Sequence, residues 1–151
     1  MYSFLYNNEK IYFNYVNNDH IARNWKNNTF YEIKLLEKVK SLNLNGLYVD
    51  VGSHHGNHSI YFDKFCNSDK VISIEGNPFN FDYLKKNLTQ NKCKNIYHNI
   101  IVSDKEGETL TMKYEMRNTG SSTVINSKID TTNLENVITN KTNTLDNLLK
   151  N

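Results

Sequence analysis

No stretch of this chain approaches the roughly 18 consecutive apolar residues that cross a bilayer, and the opening MYSFLYNNEKIYF has no basic region ahead of an apolar run. A soluble, cytoplasmic protein without membrane contact is expected. An excess of one charge is missing too: 18 Lys and Arg stand against 16 Asp and Glu, intermixed, for a net charge of +2. With no basic face to track phosphates, nucleic acid is not the expected partner. Cysteine is scarce. Cys66 and Cys93 lie far apart, outside any CxxC pair and away from histidine at metal-ligand spacing, so two reduced thiols are expected rather than a disulfide framework or a zinc site. Internal repeats and low-complexity linkers are likewise absent, and 151 residues is the length of one domain.

What is abundant is asparagine, which lowers helix propensity and supplies turns and caps. Aromatic runs at residues 2–6 and 10–16 flank Asn7-Asn8-Glu9, the pattern of a hairpin with a polar turn that packs as a lid or edge. From Thr29 the period changes: Phe30, Ile33, Leu36 and Val39 recur at helical spacing, with Thr29 and Glu32 as a capping box, predicting a helix that ends near Asn45-Gly46. LYVDV (47–51) reads as a buried strand, residues 52–56 as a glycine turn, 57–66 as a helix and 71–75 as a second strand. This is a βαβ unit with parallel strands. Asn77-Pro78 then caps a helix over 79–90, residues 95–102 form a third strand, and a β-rich excursion starts near Glu108. Short strands are expected at 123–125 and 136–139, and a short helix at 144–149.

The chemistry concentrates in VDVGSHHG (49–56). A strand ending in DxGxxxG must bend sharply and let a ligand approach its backbone, and the following helix points free N–H groups at the same place. Glu75 ends the second strand, near the spacing of roughly 20 residues at which a carboxylate accepts the ribose hydroxyls of a nucleotide. In a doubly wound sheet both strand ends open onto one crevice. The simpler readings are a plain tight turn and a solvated carboxylate. An NAD-type site is disfavoured, because GSHHG lacks the third glycine of GxGxxG. His54, His55 and His58 have no carboxylate or cysteine beside them in sequence, so no metal is expected, and the pair at 54–55 is read as shaping the loop. His98 reads as a packed strand residue.

VDVGSHHGNHSIYF, ISIEGNPFNFDYLKKNL, NIIVSDKEGETL, GSSTV and TLDNLL, in that order, resemble successive blocks of the FkbM family of S-adenosylmethionine-dependent methyltransferases. The resemblance runs from about Glu32 onward. It implies an α/β, Rossmann-like class I methyltransferase fold, a three-layer αβα arrangement around a mostly parallel sheet. Residues 1–46 would form an N-terminal hairpin and helix, and residues 47–151 the cofactor-binding domain. It also implies S-adenosylmethionine as cofactor and methyl transfer to a hydroxyl of a sugar or natural product, so a small-molecule or glycan acceptor. By the same resemblance Asp50, Gly52 and Gly56 wrap the methionine end, Glu75 holds the ribose and Ser103-Asp104 lie near the adenine; Ser53, His54, Asn57 and Gly76, beside these positions, are also expected to bind the cofactor, although His54 stands where the family often has a small or amide residue. Glu32 matches an upstream glutamate of the family, though a capping box explains it equally.

Methyl transfer from a sulfonium is a direct displacement that demands alignment and exclusion of water, and a hydroxyl acceptor usually needs a base as well. No residue stands out as that base. TLDNLL precedes a further strand in the resembled family, so the sheet is expected to be incomplete, with strand 47–51 at an open edge or paired with another chain. The alternative function is a truncated or degenerate module that binds cofactor or a partner without turnover. Aromatic residues of the hairpin are expected to pack, with stacking on an acceptor sugar as the other reading.

Overall fold

The computed structural model describes residues 1–15, 19–115, 118–125 and 135–150. The first elements, β1 (Tyr2–Tyr6) and β2 (Glu9–Phe13), pair antiparallel with Tyr6 opposite Glu9. Asn7 and Asn8 form the two-residue turn at φ 48° and 66°. Both are left-handed, as in the type I′ turn whose twist suits a hairpin, and asparagine tolerates that region better than other side chains. The end of the second aromatic run, Val16, lies outside the described residues. Phe4, Ile11 and Phe13 are buried to 4% exposure or less, so the hairpin is a wall of the core and its aromatic residues pack.

A single helical turn, α1 (Ala22–Lys26), follows. No periodicity marks so short an element. Asp19 Oδ1 accepts from the amides of Ile21 and Ala22, and Trp25 stacks on Phe13 at 3.9 Å with both rings fully buried. Each such burial contributes roughly 1.5–3 kcal/mol. The next helix, α2 (Ile33–Ser41), starts later and stops earlier than its sequence pattern suggests. The capping box does not form: Glu32 precedes the helix at φ 54° without capping it, and Thr29 Oγ1 turns to Phe30 O. Tertiary contacts explain the correction. Phe30 is fully buried, and Tyr31 exchanges backbone hydrogen bonds with the Asn57 amide at 3.0 and 3.1 Å, which holds both residues out of the helix.

The βαβαβ unit then appears as β3 (Gly46–Val51), α3 (Asn57–Phe65), β4 (Ser68–Ile74), α4 (Pro78–Gln90) and β5 (Ile96–His98). The three strands are parallel in the order β3-β4-β5. Asn77 caps α4 by accepting from Phe79 N at 2.9 Å. β4 is central, with Val71, Ile72 and Ile74 buried; β3 lies at the edge, with Leu47 47% and Val51 53% exposed. The core sits between the hairpin and α3 and α4, and residues on both sides of position 46 contribute to it. Asparagines at the end of α4 bind β2 and the residue after it: Asn91, just past the helix, pairs with the backbone of Tyr12, and Asn87 with that of Asn14. This is a structural use for a residue type that carries little sequence signal.

The expected third strand over 95–102 is divided. After β5 the chain steps across at Asn99-Ile100, and β6 (Ile101–Val102) joins a different sheet with β7 (Thr109–Glu115), β8 (Asn118–Ile125) and β9 (Val137–Asn143) in the order β6-β9-β7-β8. Hydrogen bonds hold the step: Glu75 N donates to His98 O, and Asn99 Nδ2 donates to Glu75 O at 2.7 Å. β8 and β9 are longer than expected, and β7 runs antiparallel to both. A last helix, α5 (Leu145–Leu149), is capped by Thr144. No helix among the described residues is long and apolar enough to cross a membrane.

Candidate functional site

The carboxyl ends of β3 and β4 open onto a cavity of about 200 Å³. Of the residues singled out in sequence, Gly52, His54, Glu75 and Gly76 line it. Glu75 is only 6% exposed, and its carboxylate is held by two backbone amides: Oε2 accepts from His54 N and Oε1 from Asn77 N, both at 2.7 Å. Burial raises its pKa, and these hydrogen bonds, which favour the charged form, work against the rise. Each oxygen keeps a second lone pair, the requirement for accepting two ribose hydroxyls. Gly52 sits at φ 79°, and a Cβ there would meet no atom within 4 Å, so the loop backbone leaves room for a ligand's approach.

The other sequence candidates do not line the cavity. Asp50 points between β3 and α3, accepts from Ser59 Oγ at 2.5 Å and has its pKa raised by burial. Ser53 holds the loop to β3 by donating to Asp50 O and to β4 through the backbone of Ile74. Gly56 stands at φ 91° with its Cβ position 2.9 Å from Leu84 Cδ1, so its need for glycine comes from α4. Asn57 accepts from the Trp25 indole at 2.8 Å and ties the loop to the hairpin region. Ser103 and Asp104 lie just beyond β6, where Ser103 Oγ donates to Asp104 at 3.1 Å. Glu32 pairs with His58 at 3.2 Å.

The far wall has no motif in the sequence: Ile100, Ile101, Val102 and Met112 are apolar, and Ser122 and Asn80 add polar groups. The run IIV was visible, but its division between two sheets was not. Met112 and Ser122 arrive from strands whose register no local pattern sets. A buried carboxylate facing an apolar wall suits a nucleoside, with hydroxyls on Glu75 and a base against Ile101 and Met112, and so fits the nucleoside end of S-adenosylmethionine. Within the loop, His54 and His55 are 6% and 0% exposed. Burial pushes His54 down to about 4, against the pull of Asp19, and His55 down to about 2, with His54 adding to the effect.

The sequence model of the TRM5/TYW2 methyltransferase domain matches residues 24–126, about two thirds of the chain. No curated protein matches. Three solved structures are similar in part. A protein of Pyrococcus horikoshii described as a transferase is 19% identical, over 54% of this chain and 44% of its own, with a TM-score of 0.41. A Pyrococcus abyssi tRNA (uracil-54, C5)-methyltransferase in complex with S-adenosyl-L-homocysteine is 22% identical, over 51% of this chain and 19% of its own, with a TM-score of 0.39. The M. jannaschii tRNA m1G37 methyltransferase is 32% identical, over 47% and 21%, with a TM-score of 0.34. The chain thus spans less than half the length of each. The matching family model is TRM5/TYW2 and not FkbM, so the methyltransferase part of the resemblance holds at the coarser level.

Proposed function

The chain belongs to the TRM5/TYW2 methyltransferase domain family, an S-adenosylmethionine-dependent domain with a Rossmann-like fold, and from that premise we propose that its cavity binds the cofactor for methyl transfer to an acceptor. The observation that carries the reading is Glu75, a buried carboxylate at the end of β4 with both oxygens oriented by backbone amides and facing an apolar wall. When bound, the cofactor supplies an electrophilic methyl group on a sulfonium. Glu75 accepts the ribose hydroxyls, Gly52 lets the loop backbone approach, and Ile101 and Met112 cover the base and exclude water. Gly76 completes the floor, while Asp50, Ser53, Gly56 and Asn57 hold the loop from behind. Ser103 and Asp104 follow β6, whose Val102 lines the cavity.

Membership in this family makes a tRNA base the first acceptor to test, in place of the expectation that nucleic acid is not a partner. The hydroxyl of a sugar or natural product, implied by the FkbM resemblance, is the second reading. The small net charge favours it, since an RNA-tracking surface is usually strongly basic. Incubation with methyl-tritiated cofactor and either unmodified tRNA or hydroxyl-bearing glycans separates the two. Label in RNA supports the first, label in glycan the second. Cofactor binding without transfer to either would favour the non-turnover module.

A further inference from the structure

We propose that Asp19, His54 and His55 form a binding site for a divalent transition-metal ion, Zn²⁺ foremost, that clasps the segment before α1 to the glycine loop. This departs from the sequence expectation of no metal, which rested on the lack of a carboxylate near the histidines. The fold brings one from 35 residues upstream.

One donor atom from each of the three residues lies within 4.8 Å of the others. His54 Nε2 is 3.5 Å from Asp19 Oδ2, close to the edge of about 3.4 Å in a tetrahedron with metal–ligand distances near 2.1 Å. The two histidines are consecutive, yet their rings stack at 3.8 Å and 23°. An extended backbone would send them to opposite faces. His54 instead adopts φ 51°, a left-handed conformation costly for a residue with a Cβ, and this turns both imidazoles the same way.

Asp19, His54 and His55 are 2%, 6% and 0% exposed. The His55 side chain lies against that of Asn80, but neither of its ring nitrogens makes a well-formed hydrogen bond among the described residues, which leaves the ring suited to coordinate a cation. Asp19 Oδ1 is engaged by the amides of Ile21 and Ala22, which fixes the carboxylate with Oδ2 toward His54. Ligands oriented in this way are what metal sites use. Two imidazoles and one carboxylate suit zinc, whereas calcium and magnesium take oxygen sets. Three protein ligands leave the fourth position to water. Because the His54 amide also holds Glu75, an ion here would stiffen the cofactor loop.

The test needs neither cofactor nor turnover. The full chain, stripped with a chelator, is titrated with ZnCl₂ by calorimetry, and its Co²⁺ form is examined by visible spectroscopy. The expected result is one equivalent of Zn²⁺, a higher melting temperature, and the intense visible band of tetrahedral Co²⁺. Asp19→Asn keeps the helix-capping oxygen and should weaken Zn²⁺ by about 10–100-fold, while His58→Ala should leave it unchanged. If Asp19→Asn fails to fold, the wild-type Co²⁺ spectrum decides. The weak band of an octahedral surface site, no uptake by the folded chain, or equal affinity in a folded Asp19→Asn overturns the proposal.

Discussion

Asp50 and Glu75 sit at the ends of neighbouring strands, both buried, and do different work. Asp50 accepts from Ser59 in the interior, and burial raises its pKa. For an acid this means the folded state binds the proton more tightly than the unfolded one. Its contribution to stability is therefore greatest at low pH and falls as pH rises through the interval between the ordinary carboxylate value and the raised one. Asp50→Asn keeps an acceptor for Ser59 and should flatten the decline in urea midpoint between pH 4 and 7, with no loss of stability at pH 7. Gly56→Ala should destabilise by about 1–3 kcal/mol, because φ 91° and the approach of Leu84 both resist a Cβ. At this scale Gly52 and Glu75 were legible from a strand-end pattern. The positions of Asp50 and Asn57 were not, because their partners, Ser59 and Trp25, are set by packing across the chain.

Among the elements, those with strong local signals appear where the sequence places them. Asn77-Pro78 starts α4, and alternating aromatic residues around Asn7-Asn8 make the hairpin. The failures share a cause. Thr29 and Glu32 form a capping pattern that tertiary contacts of Phe30 and Tyr31 override, and NIYHNIIV reads as one strand although hydrogen bonds from Asn99 step it between sheets. Elements that rest on local chemistry should respond to local substitution. Asn8, at φ 66°, occupies the second turn position, where glycine is unstrained. Asn8→Gly is predicted to stabilise by about 0.5 kcal/mol, readable as a higher melting temperature. A fall in melting temperature would mean that the turn is not the type I′ turn described.

On the scale of the whole molecule, the hairpin side is closed by aromatic packing and asparagine bridges, while the sheet is open at β3. Leu47 and Val51 are exposed along that edge. An apolar edge strand invites another strand, and we propose that a second chain pairs there. Sedimentation is expected to show concentration-dependent association that Leu47→Lys abolishes; a monomer at all concentrations with unprotected β3 amides would refute it. The cofactor cavity, by contrast, is assembled within the described residues, from the ends of β3 and β4 and the wall of β6, β7 and β8. Its two halves come from different sheets, which is why only the first half could be read in advance.

The most direct test of the central claim is calorimetric titration of the purified chain with S-adenosylmethionine, beside Glu75→Gln. The amide keeps one acceptor but sets an NH₂ against a backbone N–H, so saturable one-to-one binding by the wild type should weaken at least about tenfold in the variant, in keeping with loss of hydrogen bonds to a charged group. Absence of binding by a folded wild-type chain, or equal affinity in a folded Glu75→Gln, would contradict the assignment of this cavity as the cofactor site.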